Sequence, residues 1–497
     1  MTPPVRLVSE PNTPAFLTEP MIAPTGFREY DARWRFPEEI NLIGAQAVGL
    51  GFAAQLREMG VRPRVAVGCD YRAYSLAVKQ AVTLGLVAGG AEALDIGVGV
   101  TPMAYFAQSW LDAPAVAMIT ASHNPNGWTG VKIGAEPPLT HGPEEMARLK
   151  AIVLGAEAAP RPGGSWRAVP GAREAYLDDL VRGFRLTRPL KVVCACGNGG
   201  AALVAPELLR RLGAEVVELH CRPDYDFPRY NPNPEAMEML HDMARAVRES
   251  GADLALGFDG DGDRCGVVDD EGEEIFADKV GVILARELIR DHPGATFVAD
   301  VKSTGLFAAD PALAGARIDY WKTGHSHMKR RVKALGALAG FEKSGHYFLA
   351  PPIGRGYDDG PRVAVELLRL LDRRPGERMS DLRRALPRTW STPTLSPACP
   401  DAEKYAVAAR ITERLQAMAA RGEALAGRRV LDVVTVNGAR AMLEGGAWAL
   451  VRPSSNTPNL VVVCESPNSE AELRAVFEAI DAAIRTEPSV GAYDQGF

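Results

Sequence analysis

Short apolar runs alternate with amphipathic stretches along most of this 497-residue chain. Runs of five or six mostly apolar residues predict buried β-strands, and longer stretches with helical periodicity predict helices. A strand, a small-residue turn, a helix and a second strand follow one another three times, and each time a third strand comes later. The first strands are predicted at 64–69, 191–196 and 295–300, the second at 91–96, 215–219 and 317–321, and the third at 115–119, 252–257 and 335–339.

The threefold order of elements indicates a duplicated α/β domain with mostly parallel, mixed sheets. The segment 391–400 is rich in Pro, Ser and Thr and is predicted to be a linker. An amphipathic helix at 402–419 and a strand at 460–464 then predict a smaller C-terminal α+β domain. The four predicted domains are residues 1–165, 166–273, 274–388 and 389–497.

Length and composition agree with several domains of an ordinary globular protein. A chain of this length is too long for one hydrophobic core. It has no signal-peptide pattern and no apolar run long enough for a membrane span, so we expect a cytoplasmic protein. The net charge of −6 argues against a nucleic-acid surface. Cys194 and Cys196 are the only close pair of cysteines, and we interpret them as reduced thiols in a buried strand.

The third strand of the second repeat leads into the most informative motif, in which Asp259, Asp261 and Asp263 are spaced by glycines and followed by Arg264. Three carboxylates this close repel one another unless a cation lies among them. Hard oxygen ligands favour Mg²⁺ or Ca²⁺. A calcium EF-hand does not fit, because its sixth position should be glycine and its twelfth, here Asp270, should be glutamate. The motif predicts a metal site, with a solvated acidic turn as the alternative.

The third strand of the first repeat leads into Thr120-Ala121-Ser122-His123-Asn124-Pro125. Asn-Pro favours a turn, so the serine hydroxyl is predicted at the carboxyl edge of the strand, where α/β sheets usually bind ligands. A serine-rich turn without function is one alternative. A Ser-His-Asp hydrolase is another, but neighbours in sequence do not make a triad and there is no Gly-x-Ser-x-Gly elbow at this serine.

These two motifs together resemble those of the α-D-phosphohexomutase superfamily, and the resemblance spans nearly the whole chain. Four further segments match that family in the same order. They are the FREYDAR segment at 27–33, a segment at 321–326 typical of the phosphomannomutase/phosphoglucomutase branch, the sugar-binding loop at 342–346 and the terminal phosphate-binding loop at 452–458. The resemblance implies four domains around a central cleft. It also implies a phosphohexomutase that interconverts hexose 6-phosphate and hexose 1-phosphate, of mannose, glucose or both.

The resemblance also assigns roles in catalysis. Ser122 would carry a phosphoryl group, give it to the sugar and take one back from a hexose 1,6-bisphosphate, which is also the expected activator. Arg33 and Arg264 would stabilise the transferred group, and Lys132 and His346 would serve in proton transfer. His123 would take part in catalysis or fix the loop. The implied Mg²⁺ ligands are Ser122, Asp259, Asp261 and Asp263.

Substrate binding is implied for a further set of residues. Glu342 and Ser344 can hydrogen-bond to sugar hydroxyls. A ring that flips between two poses keeps its C3 and C4 hydroxyls nearly in place, so contacts with those two alone predict little discrimination between glucose and mannose. Tyr30, Lys302 and His325 are expected to line the cleft. The second phosphate is assigned to Arg452, Ser454, Ser455, Asn456 and Thr457.

Some positions depart from the family. Trp34 and Phe341 occupy places where glycine is common, and Ser455 and Asn456 take the last two places of an Arg-x-Ser-Asn/Gly-Thr pattern. A phosphoglucosamine mutase remains an alternative, although that branch lacks the 321–326 segment. A non-catalytic sugar-phosphate-binding homologue is another. We expect small-molecule sugar phosphates as partners, no nucleic acid or membrane, and a monomer or dimer.

Overall fold

The computed structural model describes residues 18–455 and 457–497, so Asn456 lies outside the described residues. The strands are β1 (Ala32–Arg35), β2 (Arg64–Cys69), β3 (Glu92–Val98), β4 (Ala115–Ile119), β5 (Trp128–Gly134), β6 (Ser165–Ala168), β7 (Lys191–Ala195), β8 (Glu215–Leu219), β9 (Leu254–Phe258), β10 (Cys265–Asp269), β11 (Glu274–Ile275), β12 (Thr296–Asp300), β13 (Arg317–Trp321), β14 (Ala339–Phe341), β15 (Tyr347–Leu349), β16 (Trp390–Ser391), β17 (Ala424–Leu425), β18 (Arg428–Val434), β19 (Ala439–Leu443), β20 (Trp448–Pro453) and β21 (Leu460–Ser466).

The α-helices are α1 (Leu42–Glu58), α2 (Ser75–Ala88), α3 (Thr101–Trp110), α4 (Pro143–Leu154), α5 (Ala172–Leu180), α6 (Ala205–Leu212), α7 (Met237–Ser250), α8 (Ala277–Asp291), α9 (Leu306–Ala309), α10 (His325–Leu335), α11 (Gly360–Asp372), α12 (Met379–Arg384), α13 (Lys404–Arg421) and α14 (Glu470–Ile484). Short 3₁₀ helices occur at Pro24–Gly26, Gly200–Leu203 and Pro311–Leu313. The described chain contains no helix with both the length and the apolar character needed to span a membrane.

Three sheets share one plan, in which the first strand of each repeat is central and the second and third flank it in parallel. β2 lies between β3 and β4, β7 between β8 and β9, and β12 between β13 and β14. In the first two sheets the third strand also pairs antiparallel with the strand that follows it, β5 or β10, so these sheets are mixed. The duplicated α/β plan predicted from the sequence is therefore confirmed.

One predicted strand, at 335–339, was wrong over most of its length. Leu335 is the last residue of α10, and Gly336 ends that helix in the left-handed region with φ 57. Glycine is the usual residue at this position because it lacks a Cβ. The strand β14 starts only at Ala339. The apolar residues on both sides of the glycine resemble a strand in sequence, but they belong to two different elements.

The fourth sheet is antiparallel, in the order β16-β21-β20-β19-β18-β17. Helices α13 and α14 cover it with buried Val407, Ile411 and Val476. The predicted linker at 391–400 was wrong, because this segment lies along β21. Leu395 bridges Val462 and is buried. Its prolines lack the amide hydrogen that a regular strand needs, which explains the linker-like composition of an edge segment.

The chain forms two compact units. The first contains the described residues up to Ala277 together with Ser344–Ser380, and the second contains Asp278–Lys343 and Asp381–Phe497. The serine loop after β4 and the aspartate loop after β9 therefore lie in one unit. The chain leaves that unit at Ala277 and returns to it at Ser344, bringing His346 with it.

Candidate active site

Ser122 occupies the turn that follows β4, with a left-handed backbone at φ 52. Few residues with a side chain adopt this conformation. It is held by two hydrogen bonds: the amide of Ser122 donates to Thr120 Oγ1 at 2.8 Å, and its carbonyl accepts from Arg72 Nη2 at 2.8 Å. The turn directs the buried hydroxyl to the aspartate loop, where Ser122 Oγ donates to Asp259 Oδ2 at 3.0 Å. The structure thus brings together the two motifs that were most informative in sequence.

An acid and an arginine that the sequence analysis missed support this turn. Asp70, directly after β2, accepts from Thr120 Oγ1 at 2.9 Å and forms a fully buried ion pair with Arg72. Arg72 Nη2 also donates to the carbonyl oxygen of Asn124 at 2.7 Å. Asp70 lies at the carboxyl end of a parallel strand, the same position that identified Ser122. That position was the signal by which it could have been found.

The three aspartates of the second loop converge at one point. Asp259, Asp261 and Asp263 are completely buried, and one carboxylate oxygen of each lies within 4.8 Å of the others. The loop also approaches the serine closely at Gly260, since a Cβ there would lie 2.6 Å from the carbonyl oxygen of Ser122. Any larger residue at this position would force the serine and aspartate loops apart.

Lys132 on β5 supplies a positive charge among these carboxylates. Its ammonium lies 2.9 Å from Asp261 Oδ2 and forms a second, shorter ion pair with Asp263. Burial lowers the pKa of Lys132, but the charges of Asp261 and Asp263 outweigh burial and the net pKa is raised. Lys132 is therefore protonated at neutral pH. In this form it can offset negative charge or donate a proton, and it cannot accept one; its role in catalysis stays a prediction.

The aspartate loop fits a bound divalent cation. Asp261 Oδ1 is buried and has no hydrogen-bond partner among the described residues. The pKa of Asp259 is raised well above its ordinary value by burial and by the charges of Asp263 and Asp261. Burial also acts to raise the pKa values of Asp261 and Asp263, but charges and hydrogen bonds, foremost those of Lys132, outweigh it and both values are lowered. The negative charge that the protein's own cations leave unbalanced therefore lies on Asp259. A set of buried carboxylate oxygens beside a serine hydroxyl suits a hard cation such as Mg²⁺.

Two arginines lie next to the serine and the aspartates. Arg33 Nη1 donates to the carbonyl oxygen of Ala121 at 2.7 Å, and its other side is held by Asp31 at 2.9 Å. Burial lowers the pKa of Arg33, but nearby carboxylates, first that of Asp31, outweigh burial, so the net pKa is raised. Arg264 Nη1 pairs with Glu235 at 3.1 Å. Both guanidinium groups are thus oriented by a carboxylate and keep their charge.

His123 lies beside the serine as a neutral ring. Its Nδ1 is 3.4 Å from Ser122 Oγ. Burial, followed by the charges of Arg264 and Arg33, lowers the pKa of His123 well below its ordinary value. The ring is therefore uncharged at neutral pH. Tyr30, from the same N-terminal segment as Arg33, is buried in the first unit, and its role in substrate binding stays a prediction.

His346 reaches the aspartates through the segment that returns to the first unit. It bridges Arg264 along the backbone, and its Nε2 lies 3.3 Å from Asp263 Oδ1. Its Nδ1 is 2.9 Å from Ser344 Oγ, so Ser344 orients the ring. Asp358, a completely buried acid missed in the sequence, lies 4.0 Å from the same Nε2. Two successive acids before a glycine in this apolar stretch were the available signal.

In the second unit, the 321–326 segment meets Glu342 and Lys343 at the carboxyl end of β12. Asp300, the last residue of β12, accepts from Thr323 Oγ1 at 2.7 Å and from the amide of Lys343 at 3.3 Å. The carboxylate of Glu342 accepts a hydrogen bond from the amide of Gly324 and is almost completely buried. The structure thus joins two segments that the sequence analysis had placed in one site.

The other two residues that were predicted to bind substrate in this region are also buried. Lys302 and His325 are each 5% exposed, and His325 Nδ1 lies 3.3 Å from Lys329 Nζ. Burial raises the pKa of Asp300, and the nearby positive charge of Lys302 offsets part of that increase. Their predicted contacts with substrate remain predictions.

The terminal loop joins β20 to β21. Arg452 Nη1 donates to the carbonyl oxygen of Pro453 at 2.8 Å, and Ser454 Oγ lies 2.8 Å from Thr457 Oγ1. Ser455 is half-buried between them. Lys404, which the sequence analysis missed, donates to the carbonyl oxygen of Thr457 at 2.8 Å. It starts α13, 53 residues away in sequence, so only the fold reveals this second cation at the loop.

Trp34 and Phe341, the two bulky departures from the family, are both core residues. Trp34 is completely buried, and its Nε1 donates to the carbonyl oxygen of Ala23 at 2.8 Å. It fits because Gly26 lacks a side chain: a Cβ there would lie 1.9 Å from Trp34 Nε1. Phe341 stacks on Phe307 with ring centroids 5.4 Å apart. Each departure is therefore accommodated by local packing.

Comparison with known proteins shows to which family the chain belongs. The phosphoglucomutase/phosphomannomutase α/β/α domain I profile matches residues 24–159, domain II matches 174–272, domain III matches 276–390, and the C-terminal domain matches 399–483. A phosphomannomutase/phosphoglucomutase of Pseudomonas putida is 34% identical over 465 residues, covering 93% of this chain and 96% of that protein. The chain belongs to the phosphoglucomutase/phosphomannomutase family.

Solved structures of the phosphoglucomutase/phosphomannomutase fold agree with this assignment. A family protein from Burkholderia thailandensis has a TM-score of 0.84 and 29% identity, covering 96% of this chain and all of that one. A more distant similarity is to N-acetylphosphoglucosamine mutase from Aspergillus fumigatus, determined in complex with GlcNAc-6P and magnesium. Its TM-score is 0.50 at 14% identity, covering 88% of this chain and 80% of that one, so it supports the fold alone.

Proposed function

We propose that this chain is a phosphohexomutase that interconverts hexose 6-phosphate and hexose 1-phosphate of mannose, glucose or both. One observation carries the proposal: the buried hydroxyl of Ser122 donates to Asp259 at 3.0 Å, at the edge of a cluster of three buried carboxylates and Lys132. A serine in an ordinary turn has no need of such surroundings. The mutase names of the similar full-length proteins agree with it.

The first half-reaction would move the phosphoryl group of phosphorylated Ser122 to the free hydroxyl of a sugar monophosphate. A new bond forms between phosphorus and the sugar oxygen, and the hydroxyl proton passes to a base. The bond to Ser122 Oγ breaks, and Lys132 would supply the proton that this leaving oxygen takes up. His346 is our candidate for that base, since Lys132 is already protonated. Lys132 and Arg33 would offset the negative charge on the transferred group.

The second half-reaction reverses these roles on the other end of the sugar. The bisphosphate turns over, and Ser122 Oγ attacks its other phosphorus while the serine proton returns to Lys132. The bond from that phosphorus to the sugar oxygen breaks, and the sugar oxygen takes up a proton. His346 would donate that proton, which returns the ring to the form it had at the start. A hexose 1,6-bisphosphate would therefore also phosphorylate Ser122 in an unmodified protein, which is why we propose it as the activator.

We propose Mg²⁺ as the cation that fits the acid cluster, held by Asp259, Asp261, Asp263 and the serine-borne oxygen. When bound, it would offset charge that develops on the transferred phosphoryl group. The protein's contribution is to bury the carboxylates, and Thr101 helps to orient one of them by donating to Asp261 at 2.5 Å. Asp358 would hold His346 on the same side as the aspartates.

We propose further residues of this chain for binding the sugar and its second phosphate. Glu342 would accept hydrogen bonds from sugar hydroxyls, with Lys302 and His325 beside it, and Arg452 with the hydroxyls of 454–457 would bind the second phosphate. Lys404 adds a positive charge at that loop. We also propose the four domains at 1–165, 166–273, 274–388 and 389–497, to be tested by limited proteolysis followed by mass analysis.

The test combines labelling and turnover. Wild-type protein incubated with Mg²⁺ and glucose 1,6-bisphosphate labelled with ³²P should acquire label on Ser122. It should then convert mannose 1-phosphate or glucose 1-phosphate in a coupled assay, and glucosamine 1-phosphate much more slowly. Ser122→Ala should acquire no label and lose turnover by several orders of magnitude.

Ser109→Ala is the matched control, since Ser109 is exposed on α3. It should behave as the wild type. Near-normal turnover of Ser122→Ala would rule out the covalent route. No turnover of any sugar phosphate by labelled wild type would favour a binding protein.

A further inference from the structure

Three of the seven cysteines form a buried group whose members are distinct from the three aspartates. Cys194 and Cys196 lie two positions apart in and just after β7, so both point to the same face of the sheet. Cys221 follows the neighbouring parallel strand β8. The Cys194 and Cys196 sulfurs are 3.8 Å apart, and the Cys196 and Cys221 sulfurs are 3.5 Å apart. Sequence spacing shows only the first pair.

The group lies on one face of its sheet, where Glu218 of β8 is the neighbour of Cys194 and pairs with Arg210. Val193 and Ala195, the alternate residues of β7, pack into the core beneath α7. The cysteines therefore point to the opposite face, on the side where α6 packs on β8. Cys194 and Cys196 are completely buried, whereas Cys221 keeps 8% of its surface exposed and provides access.

The spacing of the sulfurs is that of ligands around one small ion. Metal–sulfur bonds of about 2.3 Å place the sulfurs of a trigonal or tetrahedral site roughly 3.8–4.0 Å apart. All three sulfurs lie within 4.8 Å of one another, and within the described chain no histidine or carboxylate joins the group. A site with three sulfurs and no oxygen or nitrogen favours a soft cation that accepts three ligands.

The thiols of this group already contact one another and the backbone. The Cys221 thiol donates to Cys196 Sγ, and it lies 3.0 Å from the carbonyl oxygen of Cys194. Binding of an ion would replace these contacts with three metal–sulfur bonds and release the thiol protons to solvent.

We propose that Cys194, Cys196 and Cys221 form a binding site for one Cu⁺ ion. Zn²⁺ is the less suitable ion, because protein zinc sites almost always have four ligands. The site is separate from the hard-ligand cluster of Asp259, Asp261 and Asp263, since sulfur and carboxylate oxygen select different metals. The proposal does not rest on the mutase activity, and its test does not measure turnover.

The binding test uses the full chain, reduced and kept free of oxygen. Cu⁺ is titrated in competition with the chromophoric chelator bicinchoninate, and wild type should bind one equivalent tightly. Cys196→Ser and Cys221→Ser should bind at least 100-fold more weakly. Cys464→Ser, which removes a buried cysteine outside the group, should bind as the wild type does.

The geometric test needs no variant, so it holds even where a substitution prevents folding. X-ray absorption of the wild-type protein with one Cu⁺ should show three sulfur neighbours at a single distance near 2.3 Å. A coordination sphere of nitrogen or oxygen would overturn the proposal. So would no Cu⁺ uptake by wild type, unchanged uptake by both folded variants, or tighter binding of Zn²⁺.

Discussion

At the scale of single residues, Lys132 carries much of the electrostatic balance of the aspartate cluster. It is the buried cation nearest to Asp261 and Asp263. Removing one partner of a buried ion pair leaves an uncompensated charge and typically costs about 3–5 kcal/mol. We predict that Lys132→Met lowers the melting temperature strongly in EDTA and that Mg²⁺ restores much of the loss.

Lys150→Met is the matched control, since Lys150 is partly exposed on α4. It should melt as the wild type does in both buffers. Equal melting temperatures of Lys132→Met with and without Mg²⁺ would contradict the idea that the lysine and a divalent cation share one cluster of carboxylates. Calorimetry in the two buffers measures both.

Trp34 and Gly26 are in contact, and the large indole fits because the glycine has no side chain. A Cβ on Gly26 would collide with the indole of Trp34. We predict that Gly26→Ala destabilises the wild type by more than 2 kcal/mol and costs under about 1 kcal/mol when Trp34 is already alanine. Trp34→Ala alone should cost about 3–5 kcal/mol. Urea denaturation of the four proteins measures the coupling, and additive effects would show that the indole does not need the glycine.

At the scale of elements, Arg440 on β19 ties the C-terminal sheet to the loop after β12. Its Nη1 donates to the carbonyl oxygens of Val301 and Ser303, and its guanidinium lies 3.7 Å from the ring centre of Trp448. Arg440→Ala leaves two buried carbonyls unpaired, and we predict a loss of about 3 kcal/mol. Arg440→Lys should lower the free energy of unfolding by less, because lysine keeps the positive charge and loses only the planar guanidinium with its several donors.

Urea denaturation followed by circular dichroism measures the loss for each variant. The control is Arg474→Ala, whose guanidinium forms an exposed ion pair with Glu470. Such pairs contribute little, so this variant should unfold within about 0.5 kcal/mol of the wild type. A comparable loss in both variants would indicate that the Arg440 contacts have no special weight.

Local patterns in the sequence were enough to predict the central strands of the three repeats. The strands Arg64–Cys69 and Glu215–Leu219 were predicted with their observed bounds. Prediction failed where one signal had two meanings: the glycine after Leu335 ends a helix, and the prolines after Ser391 belong to an edge segment. The site residues found by motif were found for the same local reason.

What the sequence could not reveal was contact between distant segments. Asp70 and Asp358 each had a local signal, but the sequence did not show that they contact the loops of Ser122 and His346. Lys404 supports its loop from another element without any such signal. Cys221 is 25 residues from Cys196, and only the pairing of β7 with β8 brings them together. Such residues depend on sheet order, which single-sequence patterns do not fix.

At the scale of the whole molecule, the first unit depends on a segment that returns to it at Ser344–Ser380. Asp359 in that segment accepts from Tyr176 Oη of α5 at 2.7 Å and caps α11. Burial raises the pKa of Asp359 from 3.8 to about 6. The folded state therefore holds a proton that the unfolded state releases, and this carboxyl lowers stability as pH rises from 3.8 to about 6.

Asp359→Asn removes this titration and keeps a side chain that can cap the helix. We predict that the variant gains stability relative to wild type across that pH window, by roughly 3 kcal/mol at neutral pH. Urea denaturation at several pH values measures the difference. Asp226→Asn, at an exposed position, should give a curve parallel to the wild type. A pH-independent difference for Asp359→Asn would show that burial does not perturb this acid.

The close approach of Gly260 to the Ser122 carbonyl has a consequence for recombining this protein with its relatives. The space beside the Ser122 backbone is bounded by Gly260, which lies more than a hundred residues downstream. A chimaera joined between the first and second repeats would therefore inherit its serine loop from one parent and the aspartate loop that packs against it from the other. Crossovers that keep both loops from the same parent preserve the fit.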